Sequence, residues 1–271
     1  MRPRADAFRI GERAAALAVR DARALAAALA IAPADPAGVH EARKSVRRLR
    51  SLLALGRRRL GKDAVDAIDH ELRLLAKDLS ALRDGQVVQD TARQLASEAD
   101  ADERATWESL LPLLAERQRH RLADALREDP GLVRRQAQAH RQAERLQQLT
   151  WHRLRSSDLR EALGRSASRQ ARAQATALAS GAVDDLHDWR RRSRRLRMQL
   201  SALRKLHVRP SMGEHGVMNL RHVSRLVDQL GVLQDLALLS QALDVLERAH
   251  PLPRPVAPRH ASTPSPIHPL A

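Results

Sequence analysis

The sequence predicts an all-α protein, and three observations support that prediction. Helix-forming residues dominate the 271-residue chain, whose apolar content comes mostly from Ala and Leu and which contains only 11 Gly. Apolar residues recur at intervals of three and four in several segments, which is the period of a helix that packs on one side. No run of alternating apolar and polar residues predicts a β-strand.

Ten helical segments are predicted in order along the chain, with Pro, Gly or Asp between most of them. The sequence "LRDG" at 82–85 is predicted to end the third helix, and a second break is predicted between 232 and 235. Residues 251–271 contain seven prolines and almost no core-forming residues, which predicts a disordered tail. The predicted helices are 5–31, 38–60, 64–82, 86–99, 101–127, 131–150, 157–180, 184–207, 215–232 and 235–249.

Positive charge is concentrated in two segments of the chain. The protein has 48 Lys and Arg against 32 Asp and Glu, a formal net charge of +16. Residues 39–62 and 186–213 each hold nine basic residues and one acid, so each contributes +8 and the rest of the chain is formally neutral. Two matched basic segments on a balanced scaffold predict a focused site for a polyanion.

The two basic segments belong to an internal repeat. "VHEARKSVRRLR" at 39–50 matches "LHDWRRRSRRLR" at 186–197 at an offset of 147 residues. The leucine-striped helix after each copy matches at an offset of 151, with Asp84 equivalent to Asp235. This indicates duplication of a four-helix unit, and a pseudo-two-fold axis would bring both copies to one shared space. The predicted halves are about 5–128 and 152–250, with a polar helix at 131–150 between them.

The charged residues of each copy share one face of a helix. Six positions fall within an arc of about 160°, and apolar residues fill the opposite side. The simplest alternative is a solvated charged face, but like charges four residues apart repel and each segment has only one acid. A bound polyanion would relieve this repulsion, and arginine suits bidentate phosphate contacts. The candidate binding residues are His40, Arg43, Lys44, Arg47, Arg48, Arg50, His187, Arg190, Arg191, Arg194, Arg195 and Arg197.

These motifs resemble the CHAD domain, the conserved histidine α-helical domain. The resemblance rests on "VHEARKSVRRLRSLLAL" and "LHDWRRRSRRLRMQLSAL", each followed by a leucine-striped helix ending in "LRD" or "LQD". It covers about residues 5–250, and the predicted domain is 1–250. It implies two antiparallel four-helix bundles related by pseudo-two-fold symmetry, with a basic central pore between them. It also implies binding of inorganic polyphosphate, association with polyphosphate granules in some bacteria, and no catalytic activity. The family pattern covers every candidate binding residue except Lys44 and Arg191. These two are included because they lie on the same face of the helix.

Two pairs of residues leave alternatives open. His40 and His187 lie in strongly positive surroundings, which disfavour their charged form, so binding of a polyanion is expected to take up protons and to tighten at lower pH. Each histidine would contact the ligand or brace its helix start by bonding backbone or a neighbouring acid. Asp84 and Asp235 would pair with the motif arginines or N-cap the next helix.

Two other classes of function are considered. A protein of this charge would bind nucleic acid non-specifically at low salt, as a nucleoid protein does, but Phe8 and three Trp are few for base stacking. A phosphohydrolase acting on polyphosphate or nucleotides would need clustered carboxylates for Mg²⁺, and each motif face offers one acid. The pair His187–Asp188 mimics a metal-dependent phosphohydrolase dyad without the other ligands. We therefore expect a binding protein rather than an enzyme, with no cofactor and no metal.

The sequence also predicts a cytoplasmic protein. It contains no Cys, and Asp6, Arg9 and Glu12 interrupt any signal-peptide core near the start. The longest apolar run, near 24–32, is too short to span a bilayer. We therefore expect no membrane partner.

Overall fold

The computed structural model describes residues 3–210 and 219–249, and its regular secondary structure there is entirely helical. Single 3₁₀ turns at Pro130–Leu132 and Trp151–Arg153 flank one of the nine α-helices in these ranges. The predicted all-α class is therefore confirmed, whereas the predicted tail at 251–271 and the predicted helix start at 215 lie outside the described residues. The helices are α1 (Pro3–Ile31), α2 (Pro36–Leu60), α3 (Lys62–Asp78), α4 (Ser80–Glu98), α5 (Ala101–Glu128), α6 (Val133–Gln147), α7 (Ser156–Ser180), α8 (Val183–Lys205) and α9 (Leu220–Ala249).

Two predicted helix breaks are wrong. The junction between α3 and α4 is Leu79, so the "LRDG" sequence lies inside α4. Gly85 does not interrupt α4, because it is buried where a side chain would overlap Gln118 of α5. The break predicted between 232 and 235 is also absent. There α9 is continuous, because its apolar residues pack into three separate clusters along its length.

The start of α2 follows from local chemistry. Asp35 has an extended backbone and its carboxylate accepts a hydrogen bond from the Ala37 amide at 2.8 Å, while Pro36 occupies the first turn. Gly38 then allows close approach to α1, because a Cβ at this position would lie 2.7 Å from the Ala28 carbonyl oxygen. These contacts fix the end of α2 that carries His40.

The largest apolar cluster joins α1, α2, α3 and α6 and extends into α7, α8 and α9. Leu25 and Leu29 of α1 and Leu49 and Leu53 of α2 are almost completely buried in it. The polar helix predicted to lie between the halves is α6, which packs on α1 and α3 and buries Leu146 in the same cluster. It is thus part of the core and not a linker.

Two smaller clusters involve α9. One forms between α4, α5 and α9 around Val88, Leu114 and Leu239. The other forms between α7, α8 and α9 around Trp189 and Leu230. Because α4 packs on α9 and α2 packs on α8, helices from the two halves of the repeat contact each other directly. The two motif helices are therefore neighbours.

Candidate functional site

A cavity of about 620 Å³ lies between α2, α4, α8 and α9. The two motif helices turn their polar faces toward it because their apolar faces, which include Val46 of α2 and Leu196 of α8, are buried in the core. Both copies of the motif therefore face one space, as the repeat predicts. The candidate residues that line the cavity are His40, Arg43, Arg47, His187, Arg190, Arg194 and Arg197.

Arg47 and Arg194 occupy equivalent positions in the two motifs and lie among other guanidiniums. Among the described residues neither forms an ion pair with a carboxylate, and Arg47 Nε is buried without a hydrogen-bond partner. Burial, followed by neighbouring arginines, lowers the pKa of Arg47 to about 10 and that of Arg194 to about 9. Both groups stay charged at neutral pH, and neither charge is balanced by a direct ion pair among the described residues.

Two other arginines of the cavity are held by specific partners. Arg43 Nη1 donates hydrogen bonds to the Ala76 carbonyl at 2.9 Å and to Ser80 Oγ at 2.6 Å. Arg197 Nη1 donates to Asp228 Oδ1 at 2.8 Å. These contacts orient the two guanidiniums, and only the second supplies a formal counter-charge.

Asp84 and Asp235 lie inside α4 and α9, beyond the first turn of each helix, so the predicted N-capping role is wrong. Pairing with a motif arginine is observed for Asp235, whose Oδ1 lies 3.8 Å from Arg190 Nη2. Asp84 acts on two motif arginines over a longer distance. Burial lowers the pKa of Arg43 and of Arg190, and the negative charge of Asp84 raises both. Desolvation raises the pKa of Asp235, and the charge of Arg190 acts in the opposite direction. The two carboxylates thus compensate part of the positive charge.

The two histidines have different surroundings. His187 Nδ1 lies 2.7 Å from Gln234 Oε1, and because an amide oxygen only accepts, the imidazole donates. This bond braces α8 against α9, with a side-chain amide in place of the expected backbone or acidic partner. His40 Nε2 lies 4.0 Å from Glu41 Oε1. Burial first, and then the charge of Arg83, lower the pKa of His40, which is the expected direction.

The remaining five candidates do not line this cavity. Lys44 bonds Glu41 at 2.9 Å, and Arg48 lies 3.9 Å from the buried carboxylate of Asp21. The predicted polar face of each motif helix spans about 160°. Because this arc is so wide, different helices pack beside its two edges, and its residues face different surroundings. The other three candidates line a second cavity, on the opposite flank of α8, and are Arg50, Arg191 and Arg195.

Sequence reasoning missed several residues that line the first cavity. Arg83 and Gln234 are the middle residues of "LRD" and "LQD", at the same offset of 151 that relates the two aspartates. Their equivalence in the repeat was the available signal. Ser80 and Asp228 also line the cavity, but no pattern in the repeat marks them.

The family model of the CHAD domain matches residues 13–244 of the sequence. The chain belongs to the CHAD domain family. Its structure resembles the crystal structure of the CHAD domain from the plant Ricinus communis, with a TM-score of 0.65 and 21% sequence identity over 89% of this chain and 80% of that chain. None of the curated proteins matches the sequence. At this identity the likeness establishes a shared helical fold.

The cavity of this CHAD domain is chemically suited to anions. Its guanidiniums and imidazoles are hydrogen-bond donors whose charge favours phosphate or carboxylate oxygens. In residues 3–210 and 219–249, no group of three or more His, Asp or Glu is placed to hold a metal ion. Over the same ranges, no helix combines the length and apolar character needed to cross a bilayer.

Proposed function

We propose that this CHAD domain binds inorganic polyphosphate in the cavity between α2 and α8. The observation that carries the proposal is the pair Arg47 and Arg194, which are charged, partly buried and surrounded by other arginines. A buried charge without a partner costs free energy, and a bound polyanion would supply the missing counter-charge. In this proposal the two halves are four-helix bundles related by a pseudo-two-fold axis, and the cavity is the basic pore between them.

A linear phosphate chain suits this cavity better than nucleic acid does. Single strands are held partly by stacking on aromatic rings, whereas Trp151 and Trp189 are buried and no Phe, Tyr or Trp is among the residues that line the cavity. A DNA duplex, whose major groove alone is about 12 Å wide, is too large to enter. Polyphosphate has no bases to stack, so cationic side chains are sufficient to bind it.

We propose binding rather than catalysis. Metal-assisted phosphoryl transfer uses carboxylates that are free to hold Mg²⁺. Three aspartates line this cavity; Asp228 accepts a hydrogen bond from Arg197 and Asp235 lies beside Arg190, so two of the three carboxylates already face guanidiniums. Polyphosphate binding of this kind would bring the protein to polyphosphate granules in the cytoplasm.

Competition between polyanions tests the ligand class. Labelled long-chain polyphosphate is bound to the full chain at about 0.15 M salt, where weak surface attraction is screened. Unlabelled tripolyphosphate, duplex DNA and single-stranded RNA are then added at matched phosphate concentration. We expect long-chain polyphosphate to compete best. If DNA or RNA competes equally per phosphate, the protein is a general polyanion binder and the proposal fails.

Substitution tests the location of the site. Arg47→Glu and Arg194→Glu each reverse one of the unpaired charges, and each is expected to weaken polyphosphate binding at least about tenfold. Arg141→Glu, at an exposed position of α6 outside the cavity, makes the same charge change and serves as the control. Equal losses in all three variants would show that net charge, and not this cavity, determines binding.

A further inference from the structure

A second basic cavity, of about 420 Å³, lies between α2, α3, α7 and α8. It shares no lining residue with the first cavity. Three of its arginines were not among the sequence candidates, and they come from α3, α7 and α8. Its arginines are Arg50, Arg73, Arg169, Arg191, Arg192 and Arg195.

Two aspartates each pair with two of these six arginines, so they offset half of the charge of those four. Asp188 accepts from Arg191 at 2.7 Å and from Arg192 at 2.5 Å. Asp69 binds two more arginines, at 2.8 Å and 3.5 Å, and these are Arg50 and Arg73.

Arg169 and Arg195 therefore remain without a counter-ion. Within residues 3–210 and 219–249, neither forms an ion pair or a side-chain hydrogen bond. The pKa of Arg195 is lowered, first by desolvation and then by the charge of Arg50, with Asp69 opposing and Arg169 adding to the effect. The second cavity thus carries excess positive charge, as the first does.

The equivalent flank of the other motif helix is built differently. Arg48 corresponds to Arg195 at the repeat offset of 147. Helix α1, which packs on α2, places the buried Asp21 at 3.9 Å from Arg48. Helix α7, which packs on α8, instead places Arg169 in the same cavity as Arg195, where its charge lowers the pKa of Arg195. An acid thus lies beside Arg48 in the first half, whereas a base lies beside the exposed Arg195 in the second, so a bound anion would be favoured more at Arg195.

We propose that the cavity formed by Arg169, Arg195 and their neighbours is a second anion site that binds a phosphate group or a short run of phosphates. Asp188 holds Arg191 and Arg192 at the edge of this site. The phosphate would come from a separate small anion or from a distal stretch of a polyphosphate chain. The second source rests on the function proposed above.

The variant Arg169→Asp tests the site by placing an acid opposite Arg195, as Asp21 lies opposite Arg48. Since the change removes a repulsion, the variant is expected to stay folded, and thermal denaturation checks this. Arg172→Asp makes the same charge change at an exposed position of α7 outside both cavities and is the matched control. Both variants are titrated calorimetrically with tripolyphosphate and with long-chain polyphosphate.

The two titrations identify the source of the phosphate. A separate small anion predicts that Arg169→Asp loses one bound tripolyphosphate per chain and that Arg172→Asp does not. A distal stretch of one chain predicts that Arg169→Asp binds only the long polymer more weakly, by about tenfold. Unchanged binding of both ligands, or an equal loss in Arg172→Asp, overturns the proposal.

The same titrations separate this site from the first cavity. If Arg47→Glu and Arg194→Glu bind polyphosphate normally while Arg169→Asp does not, the function proposed for the first cavity fails and the second site stands. If only Arg47→Glu and Arg194→Glu lose binding, the second site fails and the first stands.

Discussion

Arg194 carries a charge that no ion pair within residues 3–210 and 219–249 balances. Its neighbours Arg47 and Arg190 are cations, and burial removes part of its hydration. Both effects oppose folding of the free protein, because the unfolded chain would solvate the guanidinium fully. The same two effects would favour an anion that enters the cavity. Stability without ligand and affinity for ligand are therefore expected to change in opposite directions at this residue.

Arg194→Gln is accordingly expected to stabilise the free protein while it weakens polyphosphate binding. Removing the uncompensated charge should contribute about 1 kcal/mol, which corresponds to a rise of about 2–4 °C in Tm for a chain of this size. Thermal denaturation with and without polyphosphate measures both effects. Arg141→Gln on the exposed face of α6 should change neither. A fall in the Tm of the free Arg194→Gln variant would contradict this account.

His40 is expected to make polyphosphate binding pH-dependent. Its pKa in the free protein lies below 6.5 because of burial and Arg83, and an adjacent phosphate chain would raise it. At a pH between these two pKa values, binding takes up a proton. The affinity for polyphosphate therefore increases as the pH falls from the pKa of His40 in the complex to its pKa in the free protein. The stability of the free protein depends on pH in the opposite direction. Because the pKa of His40 is lower in the folded protein than in the unfolded chain, the folded state loses stability as the pH falls below 6.5.

Calorimetry in two buffers of different ionisation enthalpy counts the protons taken up. His40→Gln should reduce that uptake, whereas His120→Gln at an exposed position of α5, which does not line the cavity, should not. If His40→Gln and the unchanged protein take up the same number of protons, His40 does not respond to the ligand.

At the scale of the helix, α2 and α8 show how similar sequences acquire different surroundings. The last arginine of each motif is bound by an aspartate of the next helix, Arg50 by Asp69 and Arg197 by Asp228. Even so, Arg197 lines the first cavity and Arg50 the second. The last arginine thus keeps an aspartate partner in both copies, but the two arginines face different cavities.

The position of α2 depends on its contact with α1 at Gly38. A Cβ there would overlap the backbone of α1, which cannot move as a flexible side chain can. Gly38→Ala is therefore expected to destabilise the protein by about 1–3 kcal/mol, measured by chemical denaturation. Gly164→Ala in α7, where nothing lies within 4 Å, should instead stabilise it by about 1 kcal/mol through helix propensity. Equal effects at both positions would mean that helix propensity alone matters at Gly38.

At the scale of the whole molecule, the balance of charge in the cavity sets the salt dependence of binding. The first cavity brings six arginines and three aspartates together. If about three to six phosphates are neutralised, log K should fall with log salt with a slope of about −2 to −4. Binding measured between low and physiological salt gives this slope. A slope near zero would indicate that ion pairing with phosphate does not drive binding.

Much of the fold was predictable because helix propensity and apolar period are local properties. The starts of α1, α2 and α7 differ from prediction by one or two residues, and their ends agree with it. The two wrong breaks arose where a local signal lost to packing, since Gly85 lies buried against α5 and α9 packs into apolar clusters on both sides of residues 232–235. The helical projection likewise predicted which residues are polar-facing, but not how neighbouring helices divide that face.

The sequence by itself determined that the chain is helical, that its excess charge lies in two equivalent segments, and that His40 and His187 begin matched basic helices. These features depend on residues close together in the chain. Only the tertiary structure decided that Arg47 and Arg194 share a cavity, that Asp21 neutralises Arg48, and that Arg169 leaves Arg195 unpaired. The charge around each arginine comes from residues distant in sequence, and helix packing alone brings them within electrostatic range.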